Sequence, residues 1–236
     1  MRKSLRDYTP ARVDQGRTGH SLPTRELLDF QLAHARARDA VHLTLDVNSL
    51  LLELKRECIV LASAAPDRAA YLRRPDLGRQ LNGDSRDRLA PHRSEYDIVF
   101  VIADGLSALA VHRHAAPLIE IILPKLDSSI APLVIVQQAR VGIGDEIGEL
   151  LGARLSVVLI GERPGLSSPD SLGVYLTWQP RPGRTDAERN CISNIRGGGL
   201  SYELAAHKLL FLIHESRRLK LSGIKLKESA QPLIEG

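Results

Sequence analysis

The feature that most constrains this chain is a set of short apolar runs, each cut off by a polar or glycine-bearing turn. Residues 58–62, 98–103, 133–136, 157–160 and 173–178 are rich in Val, Ile and Leu and have the length of strands. The sharpest is Val157-Val158-Leu159-Ile160, after which Gly161, Glu162, Arg163, Pro164 and Gly165 follow at once. Apolar residues at consecutive positions mark a strand covered on both faces, the habit of buried parallel sheets. Between the runs the spacing turns helical, so strand and helix alternate from 58 to 221. That alternation predicts an α/β fold, a doubly wound parallel sheet with flanking helices. Ligands of such sheets sit outside the carboxyl ends of the strands, which makes 161–166 the first place to look for function.

Ahead of the sheet, Leu27, Leu28, Gln31, Leu32 and Ala35 recur at spacings of three and four behind Thr24 as an N-cap. Residues 47–54 read as a second helix. Residues 1–56 are therefore expected to form a small helical N-terminal unit, and 57–236 the main domain. The apolar face of that unit is too small for a core, so it must pack on the main domain or on another subunit. Further on, residues 82–95 read as a surface connection and a short helix begins near Pro117. Another helix opens at 142–149, and 201–221 is the last, amphipathic one.

Aromatics make up 4% of the chain, so the core must be built from Leu, Ile, Val and Ala. The net charge of +4 comes from scattered arginines, not from a basic helix with interleaved aromatics, which argues for a solvated surface and against nucleic acid. No apolar run approaches the roughly 18 residues of a membrane span, and the N-terminus lacks the apolar stretch of a secretory signal. A cytoplasmic protein is expected. Cys58 and Cys191 lie far apart, with no Cys-x-x-Cys or Cys/His cluster, so neither a disulfide framework nor a zinc site is indicated. Gly142, Gly144 and Gly148 have the wrong spacing for a dinucleotide fingerprint, and acids crowd where a pyrophosphate would sit.

The polar turns at strand ends are Asp104-Gly105, Arg140-Val141, Glu162-Arg163 and the stretch 191–199. Converging at one sheet edge, they would make a binding crevice. None carries a catalytic constellation: there is no G-x-S-x-G elbow, no P-loop and no metal-spaced histidine set. His112 and His114 lie about 200° apart on a helix and read as surface residues. Asp104 reads as a helix cap, with ligand contact as the other reading, and Glu162 with Arg163 as an exposed ion pair. Cys191 reads as a buried small residue, with a nucleophile as the other reading. The residues alone thus point to a binding domain.

Five stretches carry something more definite. They are Tyr71-Leu72-Arg73-Arg74-Pro75-Asp76-Leu77-Gly78-Arg79, Ala103-Asp104-Gly105-Leu106-Ser107, Asp145-Glu146-Ile147-Gly148-Glu149, Gly161-Glu162-Arg163-Pro164-Gly165-Leu166 and Asn190-Cys191-Ile192-Ser193-Asn194-Ile195. In this order they resemble the light (small) chain of ethanolamine ammonia-lyase, over about residues 11–224. The resemblance implies a Rossmann-like domain that completes an adenosylcobalamin site at the interface with a TIM-barrel heavy chain. That chain holds ethanolamine and conducts the radical chemistry to acetaldehyde and ammonia, and the heavy–light pairs assemble as a trimer of dimers. It implies cobalamin contacts at Val141, Glu162 and Cys191, no catalytic residue in this chain, and no metal ligand. The absence of D-x-H-x-x-G implies that the cofactor keeps its own dimethylbenzimidazole on cobalt. Glu146 and Arg196 depart from members with Gln and His there. The long N-terminal extension of many members is nearly absent, so residence in a bacterial microcompartment is not implied by that segment. The alternative is a stand-alone Rossmann-like protein that binds a nucleotide or a regulatory partner without lyase activity.

Overall fold

The computed structural model describes residues 4–9 and 11–226. Residues 1–3 of the expected N-terminal unit and 227–236 of the expected main domain lie outside them. Two helices lead, α1 (Thr24–His42) and α2 (Val47–Leu54). Then come β1 (Cys58–Ala62), α3 (Arg68–Arg73), α4 (Gly83–Leu89), β2 (Tyr96–Ala103) and α5 (Ala108–Ile122). The chain continues through β3 (Leu133–Gln137), α6 (Ile143–Leu151), β4 (Ala153–Gly161), β5 (Leu172–Trp178), β6 (Arg189–Ile195) and α7 (Tyr202–Leu219). The six strands form one sheet in the order β1-β3-β2-β4-β5-β6.

The central strands are buried on both sides, as their unbroken apolar runs require. One face, with Ile98, Phe100, Ile135, Val157 and Leu159, packs against α5, α7 and α2. The opposite face, with Val101, Val134, Val136, Val158 and Ile160, packs against Leu89 of α4 and Ile143, Ile147 and Leu151 of α6. Leu50 and Leu54 carry α2 into the first layer, whereas α1 buries Ala40 and leaves Leu28 and Leu32 at least half exposed.

The expected all-parallel, Rossmann-like sheet is corrected by the last two strands. β1, β3, β2 and β4 are parallel, but β5 runs antiparallel to β4, and β6 antiparallel to β5. A parallel return needs a crossover of about a dozen residues or more, usually a helix, and neither 162–171 nor 179–188 supplies one. The sheet is mixed, and the alternation of strand and helix stops at β4. The stretch 191–199, read as a turn past a strand, begins inside edge strand β6.

Smaller departures have local causes. Pro23, not Thr24, occupies the N-cap of α1 and gives no side-chain cap. Residues 82–95 hold α4, capped by Asn82 accepting from the Ser85 N–H at 2.9 Å and anchored by the fully buried Leu89. Pro117 lies inside a single α5 instead of starting a second helix, with buried residues on both sides of it packed on one sheet face.

Candidate functional site

The helices leave the sheet on opposite faces after β2 and β3, which opens a crevice at the carboxyl ends of these strands and β4. Its floor is backbone against backbone. Gly105, at φ +57°, and Gly161 pack so closely that a Cβ on Gly105 would overlap the Gly161 carbonyl, and one on Gly161 the Ser107 carbonyl. The Leu106 N–H donates to Gly161 O at 2.9 Å and ties the two turns together. Asp104 is not the helix cap. Ser107 caps α5, while Asp104 accepts from the Gln138 and Ala139 N–H groups at 2.9 and 3.0 Å. Its Oδ2 lies 3.6 Å from Arg68. Burial pushes its carboxyl up against those stabilising contacts. Asp104 is a brace between β2 and the turn that carries Arg140 and Val141.

A cleft of about 430 Å³ lies above this floor, lined among others by Tyr71, Arg140, Val141, Glu162, Tyr175 and Ser193. A larger one of about 1050 Å³ adjoins it and shares Arg140 and Val141, with Arg79, Arg86, Asp145 and Arg189 on its walls. Thus Val141, half-buried, stands at the junction of the two.

Glu162 follows directly on β4 and pairs with hydroxyls, not with Arg163. Its Oε1 accepts from Ser193 Oγ at 2.6 Å, and its Oε2 from Ser171 Oγ at 2.5 Å and the Asn194 N–H at 3.2 Å. A carboxylate offers about four acceptor positions, so roughly one remains for a ligand. The same contacts join the loop after β4 to β6.

Cys191 lines neither cleft. It is paired in register with Tyr175 on the same sheet face and is exposed, whereas Arg189, two residues earlier in β6, is buried against Asp145 of α6. The expectation of a buried small residue is corrected accordingly. Nor is the thiol activated: partial burial pushes its pKa up, and the Glu162 charge adds to this against a contact from the Tyr175 hydroxyl. Val141, Glu162 and Cys191 therefore come to one side of the sheet, the first two in a common cleft and the third beside its Tyr175 wall.

The side chains that sequence reasoning left without a role are Tyr71, Arg140, Tyr175 and Ser193. Tyr71 is fully buried, donates its hydroxyl to Ala139 O at 3.1 Å, and has the Arg68 and Arg140 guanidiniums 4.7 and 4.3 Å from its ring centre. The signal was there: Tyr71 lies in one of the quoted stretches and Arg140 in a strand-end turn, but nothing in the sequence brings them together. His114 is also buried, contrary to its surface reading, with Nδ1 2.7 Å from the Tyr202 hydroxyl and Nε2 3.7 Å from Asp170.

A layered α/β sheet with a cleft at its strand ends, walled by packing and hydrogen-bonding groups, defines a domain of the α/β class with a candidate ligand site. Among the described residues no group of three or more His, Cys, Asp and Glu side chains is placed to hold a metal ion, and no helix is long and apolar enough to cross a membrane. The chain belongs to the ethanolamine ammonia-lyase light-chain family, whose profile matches residues 1–227. It is 57% identical to the ethanolamine ammonia-lyase small subunit of Pseudomonas fluorescens strain Pf0-1, over 96% of this chain and 86% of that one. It is 56% identical to the small subunit of Pseudomonas aeruginosa strain LESB58, over 96% and 87% of the two chains. The small subunit of Pseudomonas putida strain KT2440 is 57% identical over 97% and 88%. The resemblance carried by the five sequence stretches is borne out as family membership.

Proposed function

We propose that this chain is the light-chain half of an adenosylcobalamin site that a TIM-barrel heavy chain completes, the two together converting ethanolamine to acetaldehyde and ammonia. The observation that supports this most is the open sheet face at β5–β6, flanked by a cleft in which Val141 and Glu162 meet. A corrin is a broad apolar ring rimmed by neutral amides, so it needs flat apolar packing and acceptors at the edge. Val141, the Tyr175 ring and the Cys191 thiol offer the packing; Glu162 and Ser193 offer acceptors. The buried Nε of Arg140, without a hydrogen-bond partner, also fits a site built for a polar ligand.

The cofactor when bound supplies a weak cobalt–carbon bond, and with it the reactivity of the whole enzyme. This chain binds, orients and excludes water. Val141 and Cys191 contribute surface, and Glu162 fixes the loop after β4 to β6 and presents its remaining lone pair. No residue here is assigned a catalytic role; substrate and reaction lie with the heavy chain.

We read residues 1–56 as an arm and 57–236 as the body. The exposed Leu28 and Leu32 of α1 suit a helix covered by another subunit. The full enzyme is then a trimer of dimers of heavy–light pairs, in the cytoplasm or in a bacterial microcompartment. Co-expression with a heavy chain tests this reading. The two chains are expected to co-purify, bind cobalamin and release acetaldehyde from ethanolamine; a pair that neither associates nor binds cobalamin overturns it.

A further inference from the structure

The two clefts meet at Arg140 and Val141, and the charges around that junction do not balance. On the larger cleft, Arg86 Nε lies 2.5 Å from Glu146, and Arg189 Nη2 2.6 Å from Asp145. Asp186 faces Arg189 at 3.5 Å, Asp76 is held by Arg74 at 2.7 Å, and Arg184 is paired with Glu188. Asp145 and Glu146, two of the acids that argue against a phosphate in the sequence, are thus each held by an arginine. Among the described residues, Arg79 and Arg140 have no carboxylate within ion-pair distance, and both line this cleft.

Arg140 is held in place by its neighbours. Its backbone N–H donates to Gly78 O at 2.7 Å, its guanidinium lies over the Tyr71 ring, and Nη2 donates to Tyr71 O at 3.4 Å. A Cβ on Gly78 would come within 2.9 Å of its Cγ, so the missing side chain makes its room. Its Nε is buried and has no acceptor. Arg68 stands at the same ring, and Asp104 is the carboxylate beside that pair of cations, which leaves one positive charge over. Arg140 is half-buried, and a partly desolvated guanidinium without a counter-ion carries a cost, while its fork of donors matches a phosphate. Arg79, exposed, packs its stem 3.4 Å from the Cβ position of Gly142, next to Val141.

We propose that Arg140, with Arg79 beside it, forms a phosphate subsite at the junction of the clefts, and that it takes the nucleotide phosphodiester of cobalamin. This inference rests on the cobalamin reading above. The rim of a corrin is neutral, and the phosphodiester of the nucleotide tail is its anion. Arg140 lines both clefts, so a ligand occupying the smaller one can present its anion to Arg140 at their junction.

The test titrates the purified heavy–light complex with aquocobalamin and with cobinamide, the corrin without nucleotide and phosphate, read by corrin absorbance. Arg140→Gln is expected to weaken cobalamin binding about ten- to a hundredfold, the worth of a charge-assisted contact, and to leave cobinamide binding unchanged. Arg79→Gln, at the surface, keeps the test if Arg140→Gln does not fold, and is expected to separate the two corrins by about threefold. Equal losses for both corrins, or no loss for either, overturn the proposal. Inorganic phosphate distinguishes the source. If phosphate alone raises the Tm of the wild-type complex but not of Arg140→Gln, while both bind cobalamin equally, the subsite serves a free anion and the cofactor assignment falls. A wild-type complex that binds neither corrin overturns the cobalamin reading itself, an outcome unlike the selective loss.

Discussion

Glu162 is a brace in the structure and a contact only in the proposed function. Three donors already hold its carboxylate, from Ser171, Ser193 and Asn194. Glu162→Ala is expected to lower the cobalamin affinity of the heavy–light complex about ten- to a hundredfold, the two chains still co-eluting. Loss of co-elution instead would make Glu162 a purely structural residue. His114 makes a different point, about pH. Burial holds its pKa below the ordinary 6.5, with Arg113 adding to this and Asp170 partly opposing it. Its ring also meets the Tyr202 hydroxyl. A histidine that is harder to protonate folded than unfolded leaves stability intact above pH 6.5, and that stability is lost as pH falls below 6.5 towards the depressed folded value. Asp170 shifts downward as well: burial works against its charge, but the contacts from Arg113 and His114 outweigh it. Its own window therefore lies below 3.8. Urea unfolding at pH 7.5 and 5.5 checks this: His114→Gln is expected to flatten the loss between them, and an unchanged slope would remove His114 from the account.

At the scale of elements, the buried pair Asp145–Arg189 is what fastens β6 to α6. Arg189 meets both Asp145 oxygens at 2.6 Å and donates at 3.0 Å to Thr177 Oγ1 and to Arg184 O. Burial works against the Arg189 charge, but the hydrogen bonds to Asp145 outweigh it and its pKa goes up. Arg189→Met leaves a buried carboxylate alone and is expected to cost about 3–5 kcal/mol in denaturant unfolding. Asp145→Leu with Arg189→Met should cost clearly less than the single change; additive losses would show that the two do not act as a pair. The strand positions were legible, because an apolar run such as 98–103 has few other homes. Strand direction was not, since Val174 and Leu176 look the same whichever way β5 runs. The information lay in the links: Pro164, Gly165 and Pro169 leave no helical pattern between β4 and β5. β6 was hidden for another reason. As an edge strand it buries Ile192 and Ile195 on one face and exposes Cys191 and Ser193 on the other, so its pattern is half polar. The candidate site was legible as a list of strand-end turns. Its charge balance was not, because the partners of Arg68, Arg140 and Arg189 lie far off in sequence.

For the whole molecule, the reversal of β5 is what leaves open the face that the proposed partner site would use. A further parallel strand would bring a helix with it, and that helix would cover Tyr175 and Cys191. Two antiparallel strands extend the sheet without adding a layer, so the face beyond α6 stays open. The central claim is that this open face is one wall of a cobalamin site. Cys191→Phe tests it most directly, since the position is exposed and a larger side chain there meets no core. Cobalamin is titrated into the heavy–light complex carrying this change, with co-elution of the chains as the control for assembly. The account predicts that the complex assembles and that cobalamin binding falls by an order of magnitude or more, as a bulky ring occupies the surface the corrin needs. Full-strength binding in the assembled complex would contradict it.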